Sequence, residues 1–161
     1  MEKRRLHKCY IYALAGIFLA TAVIGLSDAR QMDRIKLFFK DRRTGRLVAQ
    51  FSSVPRVRTL NERVSWILRE LSAGPVDSRF ERTVDPNVEI KEVIVQGRVA
   101  YISLDWSFVD SLSFNPSLTV QSVVKSILHN VRGLDDVRIL IDGVEPVNSF
   151  YGLSLAGRKK D

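Results

Sequence analysis

The chain has 161 residues, 45% of them hydrophobic and 27% charged, with 25 Lys and Arg against 18 Asp and Glu. This length holds one domain plus a short appendage, and the apolar fraction excludes a disordered polyelectrolyte. One cysteine, Cys9, and two distant histidines, His7 and His129, exclude an intrachain disulfide framework and a Cys/His metal cluster, so no cofactor is expected.

Residues 1–8 form a basic tail carrying Lys3, Arg4, Arg5 and Lys8. Residues 9–26, "CYIYALAGIFLATAVIGL", carry no charge. As a helix they would span about 27 Å, close to the roughly 30 Å of a bilayer's hydrocarbon core. They read as a transmembrane signal anchor. A cleaved signal peptide is the competing reading, with small residues at Ser27-Asp28-Ala29. Basic residues flank the run on both sides, Arg30, Arg34 and Lys36 following it, so charge alone does not orient it. A short tail kept inside with an exported domain is the commoner arrangement. The expectation is a single-pass protein of the cytoplasmic membrane with its domain extracytoplasmic, joined by a short stalk at 27–33.

Residues 1–33 hold five basic and three acidic side chains, which leaves 34–161 with 20 basic against 15 acidic. That excess attracts anionic surfaces, but the charges are scattered rather than blocked and name no partner. In "RIKLFFK" the alternation of Ile35, Leu37 and Phe39 predicts a strand. Asp41 to Gly45 is a turn, and Leu47, Ala49 and Phe51 alternate in a second strand, completing a hairpin. Thr59 and Glu62 form a capping box ahead of a helix with Val64, Ile67, Leu68 and Leu71 on one stripe. Ala73-Gly74-Pro75 stops that helix, and 76–86 is a polar, irregular connection.

Residues 88–95 and 99–104 predict a second hairpin turning at Gln96-Gly97. Asn115 caps the next helix and Pro116 occupies its first position. Its apolar stripe is Val120, Val123, Val124, Ile127, Leu128 and Val131, and Gly133 ends it. "VRILI" at 137–141 is a further strand, turned by Asp142-Gly143. The predicted class is α+β, with two helices on one face of a mixed, mainly antiparallel sheet in the order β-hairpin-α-β-hairpin-α-β. In the extension at 148–161, Tyr151, Leu153 and Leu155 alternate like an added edge strand, and Arg158-Lys159-Lys160 reads as a solvated tail.

The pieces "IKLFF", "TGRLV", "LRELSAGP", "VAYISLDWSF" and "VRILIDG", in this order and spacing, resemble the GerMN (sporulation and spore germination) domain of bacterial envelope proteins. The resemblance covers 34–147. It implies an extracytoplasmic, non-catalytic α/β module, similar to the ring-building folds of secretion and spore-channel assemblies, which work through protein–protein contact. One departure lies at the strand corner: where the family reads Val-Asp-Leu-Ser, this chain has Ile102-Ser103-Leu104-Asp105, exchanging the acid and the hydroxyl.

Asp105 is the one position that invites a catalytic reading, because it is a carboxylate just past a strand end. A base or nucleophile should accompany it, and His129, the domain's only histidine, is expected on the solvent side of its helix. The structural reading is preferred: Asp105 accepts the amide of Ser107 or Phe108, turns the chain out of the sheet, and lets Trp106 and Phe108 pack over the sheet end. Trp66 falls on the far side of its helix from the apolar stripe, with Arg63 and Arg69 as neighbours. It is either covered by another segment or, with the two arginines, forms a partner surface.

Two functions from different classes follow. One is a membrane-anchored module that scaffolds or assembles an envelope complex through a protein partner or self-association. The other is a binding module for an anionic cell-wall polymer or lipid surface. No enzymatic motif stands out, and no nucleic-acid partner is expected.

Overall fold

The structure, a computed structural model, describes residues 31–112, 115–145 and 156–158. The proposed anchor at 9–26 lies outside the described residues. Among the described residues no helix is long and apolar enough to cross a membrane. The described residues from Arg34 onward belong to one compact unit.

Strand β1 is Met32–Asp41, and its inward residues Ile35, Leu37 and Phe39 are buried. Asp41 builds the turn by accepting from the amides of Arg43 and Thr44 at 2.9 and 2.8 Å. Gly45, at φ +68°, closes it. Strand β2 is Leu47–Pro55, but the face expected to be inward, Leu47, Ala49 and Phe51, is not. Val54 is the buried residue, Ser52 Oγ donates to the Glu70 carboxylate at 2.7 Å, and Phe51 is 49% exposed. The run "LVAQFSSV" offers an apolar residue to either face, so alternation alone leaves the choice open, and one step of register exchanges the two faces.

Helix α1, Leu60–Ala73, starts in the expected capping box: the Glu62 amide donates to Thr59 Oγ1 at 3.2 Å, and the Glu62 carboxylate accepts the Thr59 amide. Its stripe Val64, Ile67, Leu68 and Leu71 is buried. Gly74 ends it at φ +89°, a conformation an L side chain rarely adopts. The connection read as irregular contains a short strand, β3 (Phe80–Glu81), paired antiparallel with Lys40 and Asp41.

Strands β4 (Ile90–Gln96) and β5 (Val99–Leu104) form the second hairpin, turned at Gly97 with φ +62°. A one-turn helix not expected from the sequence, α2 (Ser107–Ser111), follows. Helix α3, Pro116–Asn130, begins as expected, with Asn115 Oδ1 accepting the Leu118 amide at 3.2 Å. Strand β6 (Asp136–Ile141) pairs parallel with β5. Asp142 and Gly143 both have positive φ and make a two-residue hairpin turn that bonds Ile141 to Val144 in both directions at 3.0 Å. In the C-terminal extension, β7 (Ala156–Arg158) adds an antiparallel edge to β6. Tyr151, Leu153 and Leu155 lie outside the described residues, and Arg158, expected in the tail, is in the strand.

The expected single sheet is two sheets, in the orders β2-β1-β3 and β4-β5-β6-β7. In each sheet, helix side chains bond to an edge of one strand. Beyond its short pairing with β3, the edge of β1 facing away from β2 is bonded by α3. The Lys36 amide donates to Asn130 Oδ1 at 2.8 Å and the Phe38 amide to Ser126 Oγ at 3.0 Å. Ser122 Oγ donates to the Phe38 carbonyl, and Asn130 Nδ2 to that of Lys36. These residues stand four apart, so one helix face runs along the strand like a neighbouring strand. The outer edge of β4 is met by α1, where the Val95 amide donates to Asn61 Oδ1 at 3.0 Å. Both sheets and helices share one core, in which Phe39, Ile67, Leu71, Ile102, Leu104, Phe108, Ile127 and Ile139 are essentially inaccessible.

Candidate interaction surface

The corner at Asp105 is built by three neighbouring segments. One carboxylate oxygen accepts the Glu89 amide at 2.9 Å, and the other accepts the Ser107 hydroxyl. The Asp105 amide returns to the Glu89 carbonyl at 3.1 Å. The side chain therefore ties the end of β5 to the residue just before β4 as well as starting α2. Burial works against its charged form. The hydrogen bonds from Ser107 and the Glu89 amide, with the nearby Lys91 charge, outweigh that and hold the carboxyl below its ordinary value. Of the two aromatic residues expected over the sheet end, Phe108 is fully buried and Trp106 is 59% exposed. The exchanged hydroxyl also has a place: Ser103 Oγ accepts the Gly143 amide at 2.8 Å and fastens the turn after β6 to β5.

His129 is exposed on α3 with its ring edge-on to Phe38, centroids 5.7 Å apart. Among the described residues no group of three or more His, Cys, Asp or Glu side chains is placed to hold a metal ion. A groove of about 480 Å³ lies beside the end of α1, lined in part by Arg69, Ser72, Arg82, Val88 and Ile90. Arg82 is already committed there, donating to the Ala73 carbonyl at 2.8 Å as a cap on the helix.

On α1, Trp66 is half-buried and packs against the core rather than standing clear of it, with the Arg69 guanidinium 5.3 Å from its ring centre. Arg63 donates to the Asn130 carbonyl at 3.3 Å, joining α1 to the end of α3. The structure thus brings Arg69 against Trp66, while Arg63 also bonds to the end of α3.

Sequence reading missed a second aromatic–basic cluster. On the outer face of the β1–β2 hairpin, the Arg34 guanidinium sits 3.7 Å from the Phe51 ring centre and the Lys36 ammonium 5.7 Å away. Both cations lie where the ring's negative face attracts them. The signal was present as Arg34 and Lys36 on the polar side of β1, but it needed the correct face of β2 to be read. Arginine-clamped aromatic residues with exposed edges suit contact with another surface.

The family model described as "Germane: Sporulation and spore germination" matches residues 36–147. Among solved structures, the first GerMN domain of the sporulation protein GerM from Bacillus subtilis superimposes with a TM-score of 0.61 at 20% identity, covering 76% of this chain and 92% of that one. The tandem GerMN domains of the same protein match with a TM-score of 0.60 at 18% identity, covering 76% of this chain and 44% of that longer one. No curated protein matches the sequence.

Proposed function

The chain belongs to the family of sporulation and spore germination (GerMN-type) domains, and from that premise we propose that it is a membrane-anchored, extracytoplasmic interaction module that assembles or scaffolds a complex of the bacterial envelope without catalysis. The observation that carries this reading is the pair of aromatic–basic clusters on the domain surface, Phe51 with Arg34 and Lys36, and Trp66 with Arg69. Arg69 also lines the groove beside the end of α1, where Arg82 is engaged by the Ala73 carbonyl. The carboxylate most open to a catalytic reading, Asp105, is engaged by Glu89 and Ser107. The uncharged run at 9–26 supports anchoring, and its position ahead of β1 keeps the domain close to the lipid surface.

Photo-crosslinking in intact cells tests the reading. A benzoylphenylalanine replacing Phe51 or Trp66 is expected to give a discrete adduct with another envelope protein or a second copy of the chain. The same group at Val144, which is 64% exposed, serves as the control. Adducts at none of the three positions, or equally at all, would contradict the proposal. Binding to an anionic cell-wall polymer remains the second reading, favoured by the basic excess of residues 34–161. It would show as retention on purified walls that salt abolishes.

A further inference from the structure

The two sheets protect their edges unequally. The edge of β1 away from β2 is bonded by Ser122, Ser126 and Asn130, that of β4 is met by Asn61, and β6 is covered by β7. Of the outer strands, β3 and β7 are only two and three residues long, and β2 is the long one whose outer edge no described element meets. The amides of Lys36 and Phe38 face α3, so the alternate residues of β1 face β2, in agreement with the bond from the Asp41 amide to the Arg46 carbonyl at 2.9 Å. By the same alternation, Arg46, Val48, Gln50, Ser52 and Val54 turn their backbone toward β1, while Ala49, Phe51 and Ser53 turn theirs outward. All three are exposed, and no hydrogen bond from another described element reaches their backbone. The strand is nine residues long and has no charged side chain along its length, which is the protection an open edge usually carries.

We infer that the outer edge of β2 is a docking edge that takes up an extended segment of a partner protein as an added strand, and that this segment is acidic. Charge on the page chooses the occupant. Arg34 and Lys36 stand on the outer face beside Phe51, and no acidic partner is recorded for either among the described residues. Arg46 precedes the strand and Arg58 follows it. A second copy paired through the same edge would bring like charges together, whereas carboxylates on alternate positions of an incoming strand would meet these cations. Backbone bonds to Ala49, Phe51 and Ser53 would supply affinity and the flanking cations selectivity. The inference rests on the reading of the domain as an interaction module and names the chemistry of its partner.

The test is hydrogen exchange on the full-length chain with an acetylated nine-residue peptide alternating Glu with Val and Thr, beside the same peptide with Lys for Glu. The amides of Ala49, Phe51 and Ser53 should exchange fast in the free chain. They should slow roughly tenfold with the acidic peptide at ten times its dissociation constant, and not with the basic one. Ser53→Pro removes an outward amide without touching the ladder to β1 and should weaken binding while leaving the melting temperature in place. Slow exchange in the free chain would overturn the inference, because the edge would then be covered by the chain itself. So would protection by the Lys peptide, or no protection by either. Binding of phosphatidylglycerol vesicles without protection by the acidic peptide would reassign the cations to lipid. If crosslinks at Phe51 persist unchanged in Ser53→Pro, this edge falls and the interaction module stands. If the wild-type chain gives no crosslinks, the module reading itself falls.

Discussion

Asp105 decides between catalysis and architecture, and its geometry makes a specific statement about pH. Its carboxyl is held below the ordinary value of 3.8, so it stabilises the fold above that value and loses the contribution as pH falls through the lower folded value. Asp105→Asn keeps an acceptor for the Glu89 amide and does not titrate. Any stability gap between wild type and Asp105→Asn should therefore be widest near neutral pH and close on acidification below 3.8, followed by thermal melting across pH. Asp105→Ala also loses the acceptor and should cost about 0.5–2 kcal/mol at neutral pH. Trp66 makes a second residue-scale case. Placed on the far side of α1, it would lose about 0.5 kcal/mol or less on truncation if it were a plain surface residue. Because it packs against the core, Trp66→Ala should cost more, about 1–3 kcal/mol, measured by urea denaturation. A loss of association beyond that, assayed where the variant is fully folded, would reveal its contact role. Caps and turn residues such as Thr59, Glu62, Asn115 and Gly74 were legible because their signals span only three or four positions. Phe51 was not, since the face it takes depends on which side of β2 meets Glu70.

At the scale of elements, the feature that shapes the molecule is the polar ladder on α3. Ser122, Ser126 and Asn130 are polar residues on a helix face that meets the core region, and an apolar stripe does not announce them. Their partners are backbone groups 84 to 94 residues away. Local periodicity shows that β1 is a strand and α3 a helix, but not that one bonds to the edge of the other. This is why the elements were largely legible and the division into two sheets was not. The small strand β3 escaped for the same reason: it exists by pairing with Lys40 and Asp41 rather than by any pattern of its own. Ser126→Ala would leave the Phe38 amide without its partner and should cost about 1–3 kcal/mol. Lys125→Ala, one position away and exposed, should stay within about 0.5 kcal/mol. Equal effects in the two variants, compared by chemical denaturation, would mean that the ladder adds nothing to stability.

For the whole molecule, family membership and fold are the premise, and the proposal adds contact with an envelope partner at a membrane reached through the expected anchor ahead of β1. Contact and anchoring depend on each other: a domain held inside the cell could not meet an envelope partner through the Phe51 and Trp66 clusters. The most direct measurement is protease accessibility of the full-length protein in cells stripped of their outer layers, followed by fractionation of the membranes. The expected result is a membrane-bound chain whose domain is digested while the cytoplasmic membrane is intact. A domain protected until that membrane is opened, or a soluble protein beginning near Arg30, would contradict the account.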